Sequence, residues 1–231
     1  MKHDLRIDWA THAAAKYACE TWHYSKSVPV PPLVKVGVWE NEKFIGVVLF
    51  SRGASPGLLK PYNLTQADGC ELTRIALTSH RSMVSRIVKL AIQFLNRNSP
   101  KLRLIVSFAD PDEGHYGGIY QAGNWLYSGA TPRSVEYIGP DGNRLHGRMV
   151  KKQGWTTVQG KRHKTLTPDE CTPIHKSGKH RYLMPLDAEM RERILPLSKP
   201  YPKRTKDQES ANPADLGGET PTRTLQITEV P

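Results

Sequence analysis

The first half of the chain switches between helical and strand periodicity. Residues 8–22, "DWATHAAAKYACETW", contain good helix formers behind a capping-type Asp8 or Thr11, and they predict a first helix. The prolines of "HYSKSVPVPP" forbid its continuation. Two β-rich runs follow, "LVKVGVWE" and "KFIGVVLFS", at the spacing of a hairpin, so we expect them to pair antiparallel.

A strand, a long helix and a second strand come next. The run from Cys70 to Thr78 alternates like a strand, and residues 82–98 place their apolar side chains on one helical face. The stretch "LRLIVSFAD" that follows is almost continuously apolar, as in a strand buried on both faces, and it ends at Asp110. We expect a parallel crossover within an α/β (α+β) fold, a mixed central sheet flanked by helices, with ligands near the carboxyl ends of its strands.

Beyond Ser128 the pattern becomes irregular. Residues 134–150 predict a hairpin that turns at Pro140, Asp141 and Gly142, and a basic stretch then leads to a short apolar strand from Tyr182 to Leu186. The chain shows no internal repeat. We therefore expect one domain over residues 1–206, with a basic insertion at about residues 131–180 between two late strands.

Charge is spread unevenly along the chain. Residues 131–206 carry 17 Lys and Arg against 7 Asp and Glu, within a total net charge of +11. Such a block indicates a protein that meets a phosphate backbone, although a basic surface can also serve solubility alone. Residues 207–231 carry 5 acidic residues against 1 basic residue and have no apolar periodicity, which predicts a disordered acidic tail.

Hydropathy and cysteine content narrow the class of protein. The longest apolar run, from Phe44 to Phe50, is far shorter than the roughly 20 residues that span a bilayer, and the first residues have no apolar signal core. The three cysteines are odd in number and far apart, so a disulfide framework is not expected. These features predict a soluble protein of a reducing cytoplasm.

The stretch "FADPDEGHYGGIYQAGNW", residues 108–125, concentrates the candidate chemistry. Asp110 could accept a hydrogen bond or a proton, or it could merely cap the turn that follows. Tyr120 can share a helical face with His115, and its alternative is a core-facing aromatic. Gly117 and Gly118 permit close approach of a ligand, or they relieve packing.

The element order, with "GGIYQAGNW" after a strand that ends in Asp, resembles the GNAT-type N-acyltransferase fold. More narrowly, four motifs together resemble the Mom family of bacteriophage DNA-modification proteins. They are "TWHYSKSVP", "CELTRIAL", "FADPDEGHYGGIYQAGNW" and "HRYLMPL", and the similarity spans most of residues 8–187. The resemblance implies a transferase that converts adenine in double-stranded DNA to its carbamoylmethyl derivative on the exocyclic 6-amino group. It also implies protection of phage DNA from restriction, in the cytoplasm of a bacterial host.

The resemblance places the family's functional side chains on His23, Tyr24, Asp110 and Tyr120. His23 would take a proton or bind a metal, Tyr24 would stack on a base or donate a hydrogen bond, and Tyr120 would protonate the leaving group. An aromatic pair closing a helix is also ordinary packing. Iron is a candidate metal, for which His23, Asp110 and His115 would be the ligands, but their spacing does not show that they converge.

The donor has two candidates. In GNAT enzymes the diphosphate of acetyl-coenzyme A binds a Gly-rich turn before the long helix. Here that turn, "LTSHRSMVSR", has no glycine. Arg81 and Arg86 could replace some of its contacts. His115, Gly117 and Gly118 are the other candidate donor contacts. The implied product also contains a nitrogen that an acetyl group lacks. An activated glycyl group, as on glycyl-tRNA, would supply it.

Any route to a duplex adenine requires base flipping, with aromatic stacking to hold the extruded base. Trp22, Tyr24, Trp125 and Tyr127 are candidates for that stacking. The insertion would bind the backbone of DNA, or of tRNA, through Arg144, Arg148, Lys151, Lys152, Trp155, Lys161, Arg162 and Lys164. The competing interpretations are a conventional coenzyme A-dependent acetyltransferase and a non-catalytic DNA-binding module.

Overall fold

The structure is a computed structural model, and it describes residues 4–203. The predicted acidic tail lies outside the described residues. No helix among residues 4–203 is long and apolar enough to cross a membrane. The elements in chain order are β1 (Leu5–Trp9), α1 (His12–Trp22), β2 (Leu33–Glu40), β3 (Lys43–Ser51), β4 (Gly69–Leu77), α2 (Val84–Asn98), β5 (Leu104–Ala109), α3 (Gly118–Ala122), β6 (Leu126–Ala130), β7 (Ser134–Ile138), β8 (Arg144–Leu145), β9 (Trp155–Val158), β10 (Lys161–Lys164), β11 (Thr172–Lys176), β12 (His180–Pro185) and α4 (Ala188–Ile194).

Seven strands form the central sheet, in the order β1-β2-β3-β4-β5-β12-β6. The β2–β3 hairpin is antiparallel as the sequence predicts, and β4 and β5 are parallel, joined by the crossover helix α2. All other neighbours in this sheet are antiparallel. The predicted mixed α/β class is confirmed, and the short helix after β5 carries Tyr120.

The amino-terminal segment differs from the sequence-based prediction. Residues 5–9 form an edge strand paired with β2, so the prediction of helix from Asp8 is wrong there. The helix begins at His12, because the Thr11 hydroxyl accepts a hydrogen bond from the Ala14 N–H at 3.1 Å. Helix propensity in the alanine-rich stretch concealed the short alternation of Leu5 and Ile7, both packed against the core.

The helices cover both faces of the sheet. One face packs on α2 and α3, with side chains such as Phe50 and Ile105 directed toward them. Because side chains alternate along a strand, Leu49 and Val106 point to the opposite face, where α1 covers the first half of the sheet and α4 the second. The segment between β3 and β4 also packs on this second face, through Leu59, Tyr62 and Leu64.

The parallel pair parts at its carboxyl end. The ladder between β4 and β5 ends at Leu72 and Ser107, although β4 continues to Leu77 and β5 to Ala109. The divergence opens a wedge in the middle of the sheet, and Asp110 lies at its mouth.

The residues between β6 and β12 form two small sheets of their own. One has the order β11-β7-β8 and the other is the β9–β10 hairpin, while β6 and β12 pair directly in the central sheet. This is the arrangement of an insertion, at the place where the sequence predicts one. The predicted turn at residues 140–142 joins β7 to β8.

Candidate active site

The end of α1 brings two predicted residues and His115 together. His23, in extended conformation, ends the helix, and Tyr24 follows it. The ring centroids of His23 and Tyr24 are 4.2 Å apart, and those of Tyr24 and His115 are 5.3 Å apart. We call His23, Tyr24 and His115 the ring group. His23 is buried, whereas Tyr24 is 50% exposed, so Tyr24 presents the accessible ring of this group.

Asp110 is buried at the carboxyl end of β5 and has two kinds of partner. One carboxylate oxygen accepts a hydrogen bond from the Asp112 N–H at 3.1 Å, so the capping alternative is correct. The other oxygen pairs with the Lys179 ammonium at 2.9 Å. Burial raises the pKa of Tyr24, and the charges of Lys179 and Asp110 also act on it. The His115 N–H donates to the Asp110 carbonyl at 3.0 Å, so Asp110 is adjacent to the ring group through His115. Capping and a place in the site are therefore compatible.

The structure adds Glu71 and Arg74 to this site. Arg74 and Ala76 pair with Leu49 and Val47, which face α1, so Arg74 points to the α1 side of β4. Burial raises the pKa of Glu71, against the opposing effects of the Ala54 N–H and of Arg74. In the sequence, the only indication of these two site residues was the presence of two charged side chains within the otherwise largely apolar strand "CELTRIAL". The site thus combines two carboxylates with the cations Arg74 and Lys179.

His23 is held neutral, with its proton on one nitrogen. Its Nδ1 accepts a hydrogen bond from the Ser25 backbone N–H at 3.1 Å, and a backbone N–H can only donate. The neutral ring therefore carries its proton on Nε2. Burial, helped by the neighbouring charges of Arg74 and His115, lowers the pKa of His23 to about 4. In this arrangement His23 is a hydrogen-bond donor at neutral pH and not a proton acceptor.

The low pKa of His23 predicts a defined pH dependence of stability. An exposed His titrates near pH 6.5. Between pH 6.5 and about 4, His23 therefore binds a proton in the unfolded chain but not in the folded protein. The free energy of unfolding should therefore decrease as the pH is lowered from 6.5 to about 4. The decrease should be smaller in a His23→Gln variant, which has no group that titrates there. Urea unfolding of both proteins at several pH values measures this. Equal pH dependence in the two proteins would contradict the assignment.

The proposed iron ligands do not fit a metal ion in this arrangement. Among residues 4–203 no three His, Cys, Asp or Glu side chains are grouped closely enough to hold one. The ring of His23 carries its proton on the nitrogen that would have to coordinate.

Tyr120 lies in the core on the opposite face of the sheet. Its ring packs against Trp125 and Tyr182, with centroids 5.0 Å away in each case. The Ser107 hydroxyl is 2.8 Å from the Leu72 carbonyl and 2.7 Å from the Tyr120 hydroxyl. Because Ser107 has one proton and a carbonyl only accepts, Tyr120 donates to Ser107. This arrangement gives Tyr120 a structural role, and its role as a general acid stays a prediction.

A Tyr120→Phe variant separates the two roles. Loss of one buried hydrogen bond should lower the free energy of unfolding by about 1 kcal/mol. The modification rate should change by less than about tenfold, whereas loss of a general acid lowers rates by about 10²- to 10⁴-fold. Denaturant unfolding and a rate measurement on the same preparation decide between them.

The other predicted site residues are dispersed. Gly117 relieves packing, since a Cβ there would lie 2.3 Å from the Tyr182 ring, and Gly118 begins α3. Trp125 and Tyr127 are buried in the core, and Trp22 packs on Phe44. Of the four aromatic residues considered for base stacking, Tyr24 alone is half exposed.

The turn before α2 is occupied from within the chain. The carboxylate of Glu40, at the end of β2, accepts hydrogen bonds from the backbone N–H groups of Arg81 and Ser82, each at 2.8 Å. Glu40 is only 7% exposed. The side chains of Arg81 and Arg86 are exposed. Of this turn, only the exposed side chains of Arg81 and Arg86 are left as the predicted contacts to the acyl donor.

The insertion presents a basic surface and is tied to the site. The β9–β10 hairpin is fully exposed along β10, and the Arg162 guanidinium lies 3.8 Å from the centroid of the Trp155 ring. At the end of the insertion, Lys176 pairs with Asp112 at 2.8 Å, next to the Lys179–Asp110 pair. The remaining predicted contacts are Arg144, which pairs with Glu136, exposed Arg148 and Lys152, half-buried Lys151, and exposed Lys161 and Lys164.

Comparisons with known proteins agree on most of the chain. The sequence profile of the Mom protein family matches residues 4–203. The methylcarbamoylase mom of Escherichia phage Mu is 26% identical over 210 residues, which cover 87% of this chain and 84% of the phage protein. Among solved structures, a proposed acetyltransferase of Acinetobacter baylyi ADP1 aligns with a TM-score of 0.42 and 10% identity, over 87% of this chain and 98% of its own.

Proposed function

Because this chain belongs to the Mom protein family, we propose that it is a DNA-modifying transferase that converts adenine to its carbamoylmethyl derivative on the 6-amino group. The name methylcarbamoylase of the phage Mu relative supports this product. The proposal rests on the chain of contacts that joins His23, Tyr24, His115 and Asp110 at the mouth of the wedge, beside a basic insertion.

The three side chains have the chemistry to hold a flipped adenine. The 6-amino group of adenine donates hydrogen bonds and its ring nitrogens accept them. Asp110 offers an acceptor for the amino group, and His23 offers a donor on Nε2 for a ring nitrogen. The half-exposed ring of Tyr24 offers a stacking surface. In the reaction, Asp110 would take the proton that the amine loses as it attacks.

The atoms of the product favour a glycyl donor. The adenine amine would attack the carbonyl carbon of an activated glycyl ester, and the acyl–oxygen bond would break. Asp110 would pass the proton that it took from the amine to the oxygen that leaves as an alcohol. The free glycyl amine would then attack carbon 6 through a five-membered spiro intermediate, and the original nitrogen would leave carbon 6 as the amide. The product N–CH₂–CO–NH₂ results without an oxidant or a reductant. Glycyl-tRNA is a donor of this class.

The insertion would deliver DNA to this site. Its exit segment is held against the loop that follows β5 by the Lys176–Asp112 and Lys179–Asp110 pairs. A duplex bound on the exposed cations of the insertion would therefore lie beside the wedge. We call the proposed adenine-binding residues Asp110, His23 and Tyr24 the acceptor site. Lys179 lies at the end of the insertion and contacts Asp110, so the proposed phosphate-binding surface adjoins the acceptor site.

Restriction analysis tests the proposal. Plasmid DNA from cells that express the chain should resist restriction enzymes whose sites contain adenine and remain sensitive to enzymes whose sites contain only G and C. DNA from cells with the empty vector provides the control. Full sensitivity to the first group, with the protein present in soluble form, would reject the transferase and leave a non-catalytic DNA-binding module.

A further inference from the structure

Glu40 fills the place where a diphosphate would rest. The carboxylate reaches from the β2–β3 hairpin to the turn before α2 and takes one backbone N–H with each oxygen, Arg81 through Oε2 and Ser82 through Oε1. Backbone N–H groups that precede a helix are the groups that bind phosphate oxygens in phosphate-binding turns. The turn is therefore built to hold an anion, and the chain supplies that anion itself.

A diphosphate could not share this turn with Glu40. Its negative charge would meet the carboxylate at contact distance, where like charges repel strongly. Displacing Glu40 would leave a 7% exposed carboxylate without these two donors. Moreover, no residue between Asn63 and Gly114 has a positive φ, so the turn also lacks the left-handed positions that let a backbone wrap closely around a ligand.

We infer that Glu40 is the resident anion of this turn, and that the activated group reaches the enzyme on a carrier other than coenzyme A. The inference rests on the proposed function, since it concerns the carrier used by that transferase. It applies to any coenzyme A thioester, glycyl as well as acetyl. A glycyl ester such as glycyl-tRNA has no diphosphate arm of this kind and is compatible with the turn.

Binding measurements on the purified full chain test this directly. Isothermal titration of the wild-type protein with coenzyme A, at millimolar concentration, should show no saturable binding. Glu40→Ala should bind inorganic pyrophosphate at least about tenfold more tightly than the wild type, because a like charge at contact distance is removed. Glu42→Ala is the matched control, since it removes an exposed carboxylate two residues away and should gain nothing.

Two results would overturn the inference. One is saturable coenzyme A binding by the wild type with shifts of the Arg81 and Ser82 amide resonances, a measurement that needs no variant and therefore holds even if Glu40→Ala does not fold. The other is a folded Glu40→Ala that gains no pyrophosphate affinity. Neither measurement contains DNA, so they stand apart from the test of the proposed function, which fails only if adenine stays unmodified in expressing cells.

Discussion

Replacing Asp110 by Asn is expected to lower the rate of adenine modification by about 10²- to 10⁴-fold, the usual loss when an acid–base group is removed. An amide keeps the size of the side chain and an oxygen that can still accept from the Asp112 N–H, so the turn after β5 should remain folded. What it loses is the charge that pairs with Lys179 and the ability to take a proton.

The control for this variant is Asp112→Asn. Asp112 lies in the same turn, but its carboxylate is held by Lys176 and the Ser177 N–H, and the proposal gives it no role in the reaction. It should retain most of the rate. DNA affinity, measured by fluorescence anisotropy, should be unchanged in Asp110→Asn. Full activity of Asp110→Asn would show that Asp110 takes no part in the reaction and only caps the turn.

Neutralising the β10 cations is expected to weaken DNA binding by about 10- to 100-fold at moderate salt. Lys161, Arg162 and Lys164 are exposed along one short strand, and each phosphate contact contributes about 0.9 to the slope of log affinity against log salt. Replacing all three by Ala should lower that slope by about 2 to 3. The rate at saturating DNA should change little, because these side chains lie outside the acceptor site.

A matched triple variant shows whether position matters beyond charge. Lys89, Arg97 and Lys101 are also exposed, but they lie on α2 and in the turn after it, on the face of the sheet away from the acceptor site. Their replacement by Ala removes the same charge and should leave the salt slope within about 0.5 of the wild-type value. Equal losses in both triple variants would indicate a diffuse electrostatic effect rather than binding by the insertion.

The sequence predicted those elements whose pattern is local. The β2–β3 hairpin and α2 have strong period-two and helical patterns, and both are found where expected. The edge strand β1 was missed because its partner, β2, lies more than twenty residues away and a strand of five residues has little pattern of its own. Its hydrogen bonds come from the pairing and not from propensity.

The site was predictable only in part for the same reason. His23, Tyr24 and Asp110 were found through motifs, but their convergence depends on where α1 ends relative to β5. Glu40 and Ser82 are 42 positions apart, and nothing in either local sequence indicates that one binds the backbone of the other. The proton position on His23 depends likewise on one backbone N–H, which sequence alone does not place.

The central claim is the conversion of adenine in DNA, and nucleoside mass spectrometry tests it most directly. DNA would be isolated from cells that express the chain and grow with isotopically labelled glycine, then digested to nucleosides. We expect deoxyadenosine heavier by one carbamoylmethyl group, with the label in that group, and no such nucleoside from the Asp110→Asn culture. A mass gain without label would reject the glycyl donor. Deoxyadenosine of unchanged mass, from cells in which the protein is soluble, would contradict the account.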